Sequence, residues 1–207
     1  MIQALQQPTT FDEFIEWLPE TSECRYELHR GVIVEMPKPK GKHSDVAGFL
    51  TIEAGIVIRA AKLPYFIPKE CIVRTVNGAS GYEPDAIVLD RQVMASEPRW
   101  ERESIITLGR SVKVIVEVVS TNWQDDYLHK LADYEAMGIA EYWLVDYAGY
   151  GGRRFIGNPK QPTFLVCELV DGEYQITQFR GGDRVFSSTF PDLALTADQV
   201  FAAGLSS

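Results

Sequence analysis

Residues 112–119, VKVIVEVV, constrain this chain more than any other stretch. The run is nearly continuous β-branched apolar sequence, the pattern of a strand covered on both faces, so it belongs at the centre of a sheet with packed layers on either side. Glu117 interrupts it with a single carboxylate. An unpaired buried charge is costly, so Glu117 needs a cation, a hydrogen-bonding partner or a raised pKa. A salt bridge to a nearby Lys or Arg would meet that need as plain structure. A metal-binding or catalytic role would meet it as function.

The flanking sequence organises itself around this strand. Asn122 can cap a helix over residues 123–137, with Asp125 three residues on and Gly138 at the C′ position. Residues 141–146, EYWLVD, return as a strand, so 112–146 reads as a βαβ crossover of right-handed type. Upstream, Thr9 or Thr10 caps a flanking helix over 11–18 that Pro19 stops, and 25–36 reads as a hairpin turning at His29-Arg30-Gly31. A basic loop, 37–42, leads into a helix over 43–62 that ends before Pro64, and strands are expected over 65–75 and 85–89. Downstream lie a second basic loop over 147–162, a β-meander (164–170, 174–179, 185–186) and a last helix from Thr196 to Ala203. The pattern predicts a mixed central β-sheet flanked by helices, one α/β domain over residues 1–207.

A chain of 207 residues that is 45% apolar can bury roughly 70% of its unfolded surface, so a core forms without disulfides. Cys24, Cys71 and Cys167 are therefore read as reduced core thiols. No signal sequence and no run of 18 apolar residues is present, which predicts a cytoplasmic protein without a membrane partner. The 29 acidic and 20 basic side chains leave a net charge of −9, which argues against broad attraction to phosphate backbones. Two clusters run against that balance: Lys38, Lys40 and Lys42 on the first basic loop, and Arg153, Arg154 and Lys160 on the second.

A few other residues could join Glu117 in chemistry. Asp85 follows Pro84 at the start of an apolar strand, where a turn role is the common one. Paired with Glu117 across neighbouring strands, it could share Mg²⁺, a hard ion with oxygen ligands, and the two carboxyl groups would then lie within roughly 5 Å. Such a site activates water against a phosphodiester. Lys130 lies on the border of the next helix's apolar face. It could pair with Asp126 one turn back, an exposed contact worth about 0.3–0.5 kcal/mol whose loss the fold would barely notice, or lay its stem on the sheet and bring its ammonium to the carboxylates. Lys113 is about 13 Å from Glu117 along the strand, too far to serve. His43 and Glu27 each read first as structural or exposed residues. Ser120 lacks the GxSxG elbow and fits a strand leaving for a helix cap.

Read in order, Glu83-Pro84-Asp85, Val116 to Ser120, Asp126 to Lys130, Tyr134 and Glu141-Tyr142-Trp143 resemble the Uma family of restriction-endonuclease-like proteins, within the PD-(D/E)XK nuclease superfamily. The resemblance spans nearly the whole chain. It implies a restriction-endonuclease-like fold, with Asp85 and Glu117 as ligands of Mg²⁺, or Mn²⁺ in its place. The superfamily's usual Lys, two residues after the second acid, falls here on Val119. The resemblance implies that Lys130 fills that place from the following helix and that Glu27 and His43 line the same catalytic pocket. The function implied is Mg²⁺-dependent hydrolysis of DNA, by a chain that could form a homodimer. The alternative is a catalytically idle module that keeps the nuclease fold for binding or assembly.

Overall fold

The computed structural model describes residues 8–19 and 24–204. The elements run in chain order as α1 (Phe11–Trp17), β1 (Arg25–His29), β2 (Val32–Met36), α2 (Gly41–Ala60), β3 (Tyr65–Phe66), β4 (Ile72–Arg74), β5 (Gly81–Tyr82), β6 (Ala86–Asp90), α3 (Trp100–Glu103), β7 (Ile105–Ile106), β8 (Val112–Val118), a π-helical segment (Asp125–Lys130), α4 (Leu131–Met137), β9 (Glu141–Asp146), α5 (Arg153–Ile156), β10 (Thr163–Val170), β11 (Glu173–Phe179) and α6 (Ala197–Ala203). The strands form two mixed sheets rather than the one expected. The larger has the order β11-β10-β9-β8-β6-β3 and the smaller β2-β1-β5-β4-β7.

β8 lies inside the larger sheet, antiparallel to β6 and parallel to β9, as its apolar run requires. Strand alternation then sorts its side chains. Val114, Val116 and Val118 pack with Val46, Leu50 and Ala54 of α2 and with Val200 and Phe201 of α6. Ile115 and Val119 face the other way, towards Tyr127, Tyr134 and Tyr142. Glu117 shares their parity, so it points to the layer made by the π segment and α4. The smaller sheet sends Val73, Tyr82 and Ile106 into that same layer, while Leu28 and Ile105 pack beneath Phe11 and Phe14 of α1.

Both capped helices form as their first residues dictate. Thr10 with Glu13, and Thr196 with Gln199, make complete capping boxes. Gly138 ends α4 with φ of 74° in the left-handed region. Four expectations need correction. Residues 65–75 are not one strand: Pro68 lacks an N–H for a ladder, and the chain leaves β3 in the larger sheet to enter β4 in the smaller. The third meander strand is absent, since Arg184 makes only an isolated bridge to Thr196. The helix expected over 123–137 opens as a π turn, and Cys24 is half-buried at the edge of β1, donating to Glu35 Oε1 at 3.2 Å, whereas Cys71 and Cys167 are buried. No helix among the described residues is long and apolar enough to cross a membrane.

The turn into β8 packs against the end of α4 with no room to spare. A Cβ built on Gly109 would stand 1.9 Å from the Met137 carbonyl oxygen, backbone against backbone. Gly109→Ala must push this crossover apart, and the expected loss, read by chemical denaturation, is about 1–3 kcal/mol or more. A variant as stable as the parent would contradict the packing described.

Candidate functional site

The site forms where the smaller sheet, the β6–β8 pair and the π segment converge. In the β6–β8 ladder Ala86 pairs with Val116, so continuing the register by one residue sets Asp85 opposite Glu117. Directly opposed residues hold their Cβ atoms about 4.5–5.5 Å apart. Asp85, Glu117, Glu27, His43 and Lys130 all line one pocket of about 190 Å³. The five residues that the sequence singles out are thus brought together from β1, the start of α2, the approach to β6, β8 and the π segment.

Lys130 stands at the centre. Its Nζ lies 3.0 Å from Glu117 Oε1, 3.2 Å from Glu27 Oε1 and 3.7 Å from Asp126 Oδ1. Only 3% of the residue is exposed, so the border position read from the sequence is corrected to a buried one. Asp126, Tyr127 and Lys130 share one face of the segment and are all buried, and the segment is a π turn, a distortion that recurs at functional sites. Removing a cation from so enclosed a cluster strands its carboxylates, so Lys130→Met costs about 3–5 kcal/mol rather than the fraction expected of a surface pair.

The surrounding contacts fix each carboxylate. Glu117 Oε1 accepts from Lys130 and from the Tyr134 hydroxyl at 3.1 Å. Glu27 accepts the Glu83 backbone N–H at 3.0 Å, and its Oε2 lies 2.8 Å from His29 Nε2. Asp85 Oδ2 accepts the Val118 N–H at 2.8 Å and lies 3.2 Å from His43 Nε2, while Arg25 stands 3.7 Å from Oδ1. Tyr134, His29 and Arg25 went unnoticed in the sequence as site residues. Periodicity could have found the first two: Tyr134 is one turn after Lys130, and His29 is two residues from Glu27 on the same strand face.

Electrostatics follows from one ammonium among several acids. Burial pushes Glu117 well above the ordinary carboxylate range, against the pull of Lys130, with Asp85 and Asp126 adding to the rise. Burial also raises Asp126, to about 7. Glu27 is buried too, yet Lys130 and His29 outweigh that cost and bring it down to about 2. Burial works against the charged form of Lys130, but Glu117, Glu27 and Asp126 together hold it protonated. His43 is likewise raised, its burial being outweighed by Asp85.

The donor set bears on metal binding. Among the described residues no group of three or more His, Cys, Asp or Glu is arranged to hold an ion. Mg²⁺, however, is commonly held by one or two carboxylates with water and substrate phosphate completing its shell. Hydrogen bonds land on Glu117 Oε1 and Asp85 Oδ2, and Asp85 Oδ1 faces Arg25 at 3.7 Å, so a hard cation would share Asp85 with that guanidinium. The pair fits such an ion.

Of the two basic loops, only the first lines the pocket with cations, Lys38 and Lys40; the second contributes Tyr147 and Tyr150. Lys160 is turned to the Tyr150 carbonyl, and Arg154 lies over the Phe155 ring.

The raised Asp126 makes a stability prediction. A carboxyl whose pKa is about 7 when folded and about 3.8 when unfolded binds its proton more tightly in the fold, so its contribution falls as pH rises from about 4 to about 7. Asp126→Asn, a neutral mimic, is expected to raise Tm at pH 8 more than at pH 5. An equal shift at both would contradict the burial argument.

Comparison with known proteins agrees with this fold. A crystal structure from Anabaena variabilis, described as a "putative nuclease belonging to DUF820", superposes with a TM-score of 0.72 at 22% identity, covering 95% of this chain and 99% of that one. No curated protein matches the chain. The family Uma2, described as "Putative restriction endonuclease", matches residues 11–198. With its two mixed sheets, flanking helices and that match over nearly its full length, the chain belongs to the Uma2 family.

Proposed function

We propose that this chain is a cytoplasmic nuclease that hydrolyses DNA phosphodiester bonds in the Asp85–Glu117 pocket with Mg²⁺, or Mn²⁺ in its place. The observation that carries the reading is the placement of the Lys130 ammonium against Glu117, with Asp85 opposite on the neighbouring strand. The family description and the fold likeness support it. Asp85 and Glu117 would hold the ion. When bound, it supplies Lewis-acid activation of water and offsets charge on the phosphoryl oxygens. Lys130 keeps Glu117 in place and brings a fixed positive charge to the pocket, preorganised for developing negative charge. Glu27 is a positioning residue: it holds Lys130 on one oxygen and is itself held by His29. His43 steadies Asp85 from α2. The two lysines at the pocket answer in part the objection of net acidity.

A second reading, a binding or assembly module without chemistry, is favoured by one observation. Val119, where the superfamily has its strand Lys, is fully buried among core residues. The two readings part on Glu117. Because this carboxyl is raised towards its neutral form, Glu117→Gln copies the protonated state and is expected to keep the fold, with Tm unchanged or slightly higher. Gel assays on single-stranded, duplex and branched DNA are expected to show cleavage by the parent in Mg²⁺ or Mn²⁺, none in EDTA, and a loss of about 100-fold or more in the variant. A parent protein that cleaves none of these substrates with either ion would favour the module.

A further inference from the structure

The rim of the same pocket bears on the form of DNA it takes; the inference rests on the nuclease reading. Tyr150 lines the pocket and is 38% exposed, one of the few large aromatic side chains left open to solvent. Its loop is nevertheless fixed. Asp146, fully buried, accepts the Tyr150 N–H at 2.8 Å on Oδ1 and the Gly151 N–H at 2.7 Å on Oδ2. Lys160 Nζ donates to the Tyr150 carbonyl at 2.8 Å. The following residues are pressed onto the π segment and its approach: a Cβ on Gly151 would meet the Tyr127 ring at 3.1 Å, and one on Gly152 would meet Trp123 at 2.8 Å. A buried carboxylate therefore holds rigid a loop that presents an aromatic ring to water. A ring held in place yet only partly covered is suited to a ligand with a flat face.

Two further observations narrow that ligand. The carboxylates lie deep, with side-chain exposures of 6% for Asp85 and 4% for Glu117, so the scissile phosphate must descend into a narrow recess. A flexible strand can bend one phosphate inward, whereas a duplex backbone is held stiff by pairing and stacking and resists so sharp a bend. The pocket also offers few cations for tracking a duplex backbone: Lys38 and Lys40 are open, while Arg25 and Lys130 already face acids. Binding of unpaired strands relies instead on stacking, which any base can supply.

We propose that the pocket takes an unpaired nucleotide of single-stranded DNA, its base stacked on the Tyr150 ring while the adjacent phosphate reaches Asp85 and Glu117. Fluorescence anisotropy with a labelled single-stranded oligonucleotide and the blunt duplex of the same sequence, in Ca²⁺ with integrity checked on a gel, tests it. The single strand is expected to bind more tightly than the duplex. Tyr150→Ala should weaken that binding about 10-fold, and Tyr150→Phe, which keeps the ring, should retain it. The backbone bonds to Asp146 do not involve the tyrosine ring, so melting temperatures should stay equal and exclude unfolding as the cause. Duplex binding as tight as single-strand binding, or full affinity in the Ala variant, would overturn the proposal. Cleavage separates it from the reading beneath it: preferential cutting of blunt duplex would end this proposal and leave the nuclease standing, whereas no cleavage of any form would end both.

Discussion

One ammonium group, on Lys130, joins two separate sheets and the helical crossover. Glu27 comes from the smaller sheet, Glu117 from the larger, and Lys130 from the helical crossover between β8 and β9. A buried ion cluster of this kind is weak evidence for stability, because desolvation offsets much of the attraction. Its contribution is to fix position: with both sheets bound to one nitrogen, the loop carrying Glu83 and Asp85 cannot drift from Glu117, since Glu27 also holds the Glu83 N–H.

The cluster is also unbalanced by design of its residues. Glu117, Glu27 and Asp126 surround one Lys, with Asp85 close by, and burial penalises every charge among them. Glu27 keeps its charge through Lys130 and His29, while Glu117 and Asp126 are driven towards their protonated forms. An added divalent cation would relieve that excess of acid, and its binding would release protons.

Much of this was legible in the sequence, because it depends on local pattern. An acid inside VKVIVEVV announced a buried carboxylate, and the alternation of β8 put it on the helix-covered face. The caps at Thr10 and Thr196 and the stop at Gly138 were set by single residues. What could not be read depends on partners distant in the chain. Whether β4 pairs with β5 and β7 or extends β3 is decided by contacts across the two sheets, and nothing local distinguishes them. The burial of Lys130 depends on Glu27 and Glu117 meeting it from two sheets, which its own helix does not signal. Arg25 enters the site only because the register of β1 and the course of residues 83–85 bring it beside Asp85.

In the proposed site Glu117 is held by Lys130 on Oε1 and would share a hard cation with Asp85. The most direct measurement is an anomalous difference map from crystals soaked in Mn²⁺. A single strong peak within bonding distance of both Glu117 and Asp85, about 2.1–2.3 Å, with Lys130 still on Oε1, is the predicted result. A pocket without a peak at saturating Mn²⁺, or an ion that displaces Lys130 from Glu117, would contradict it.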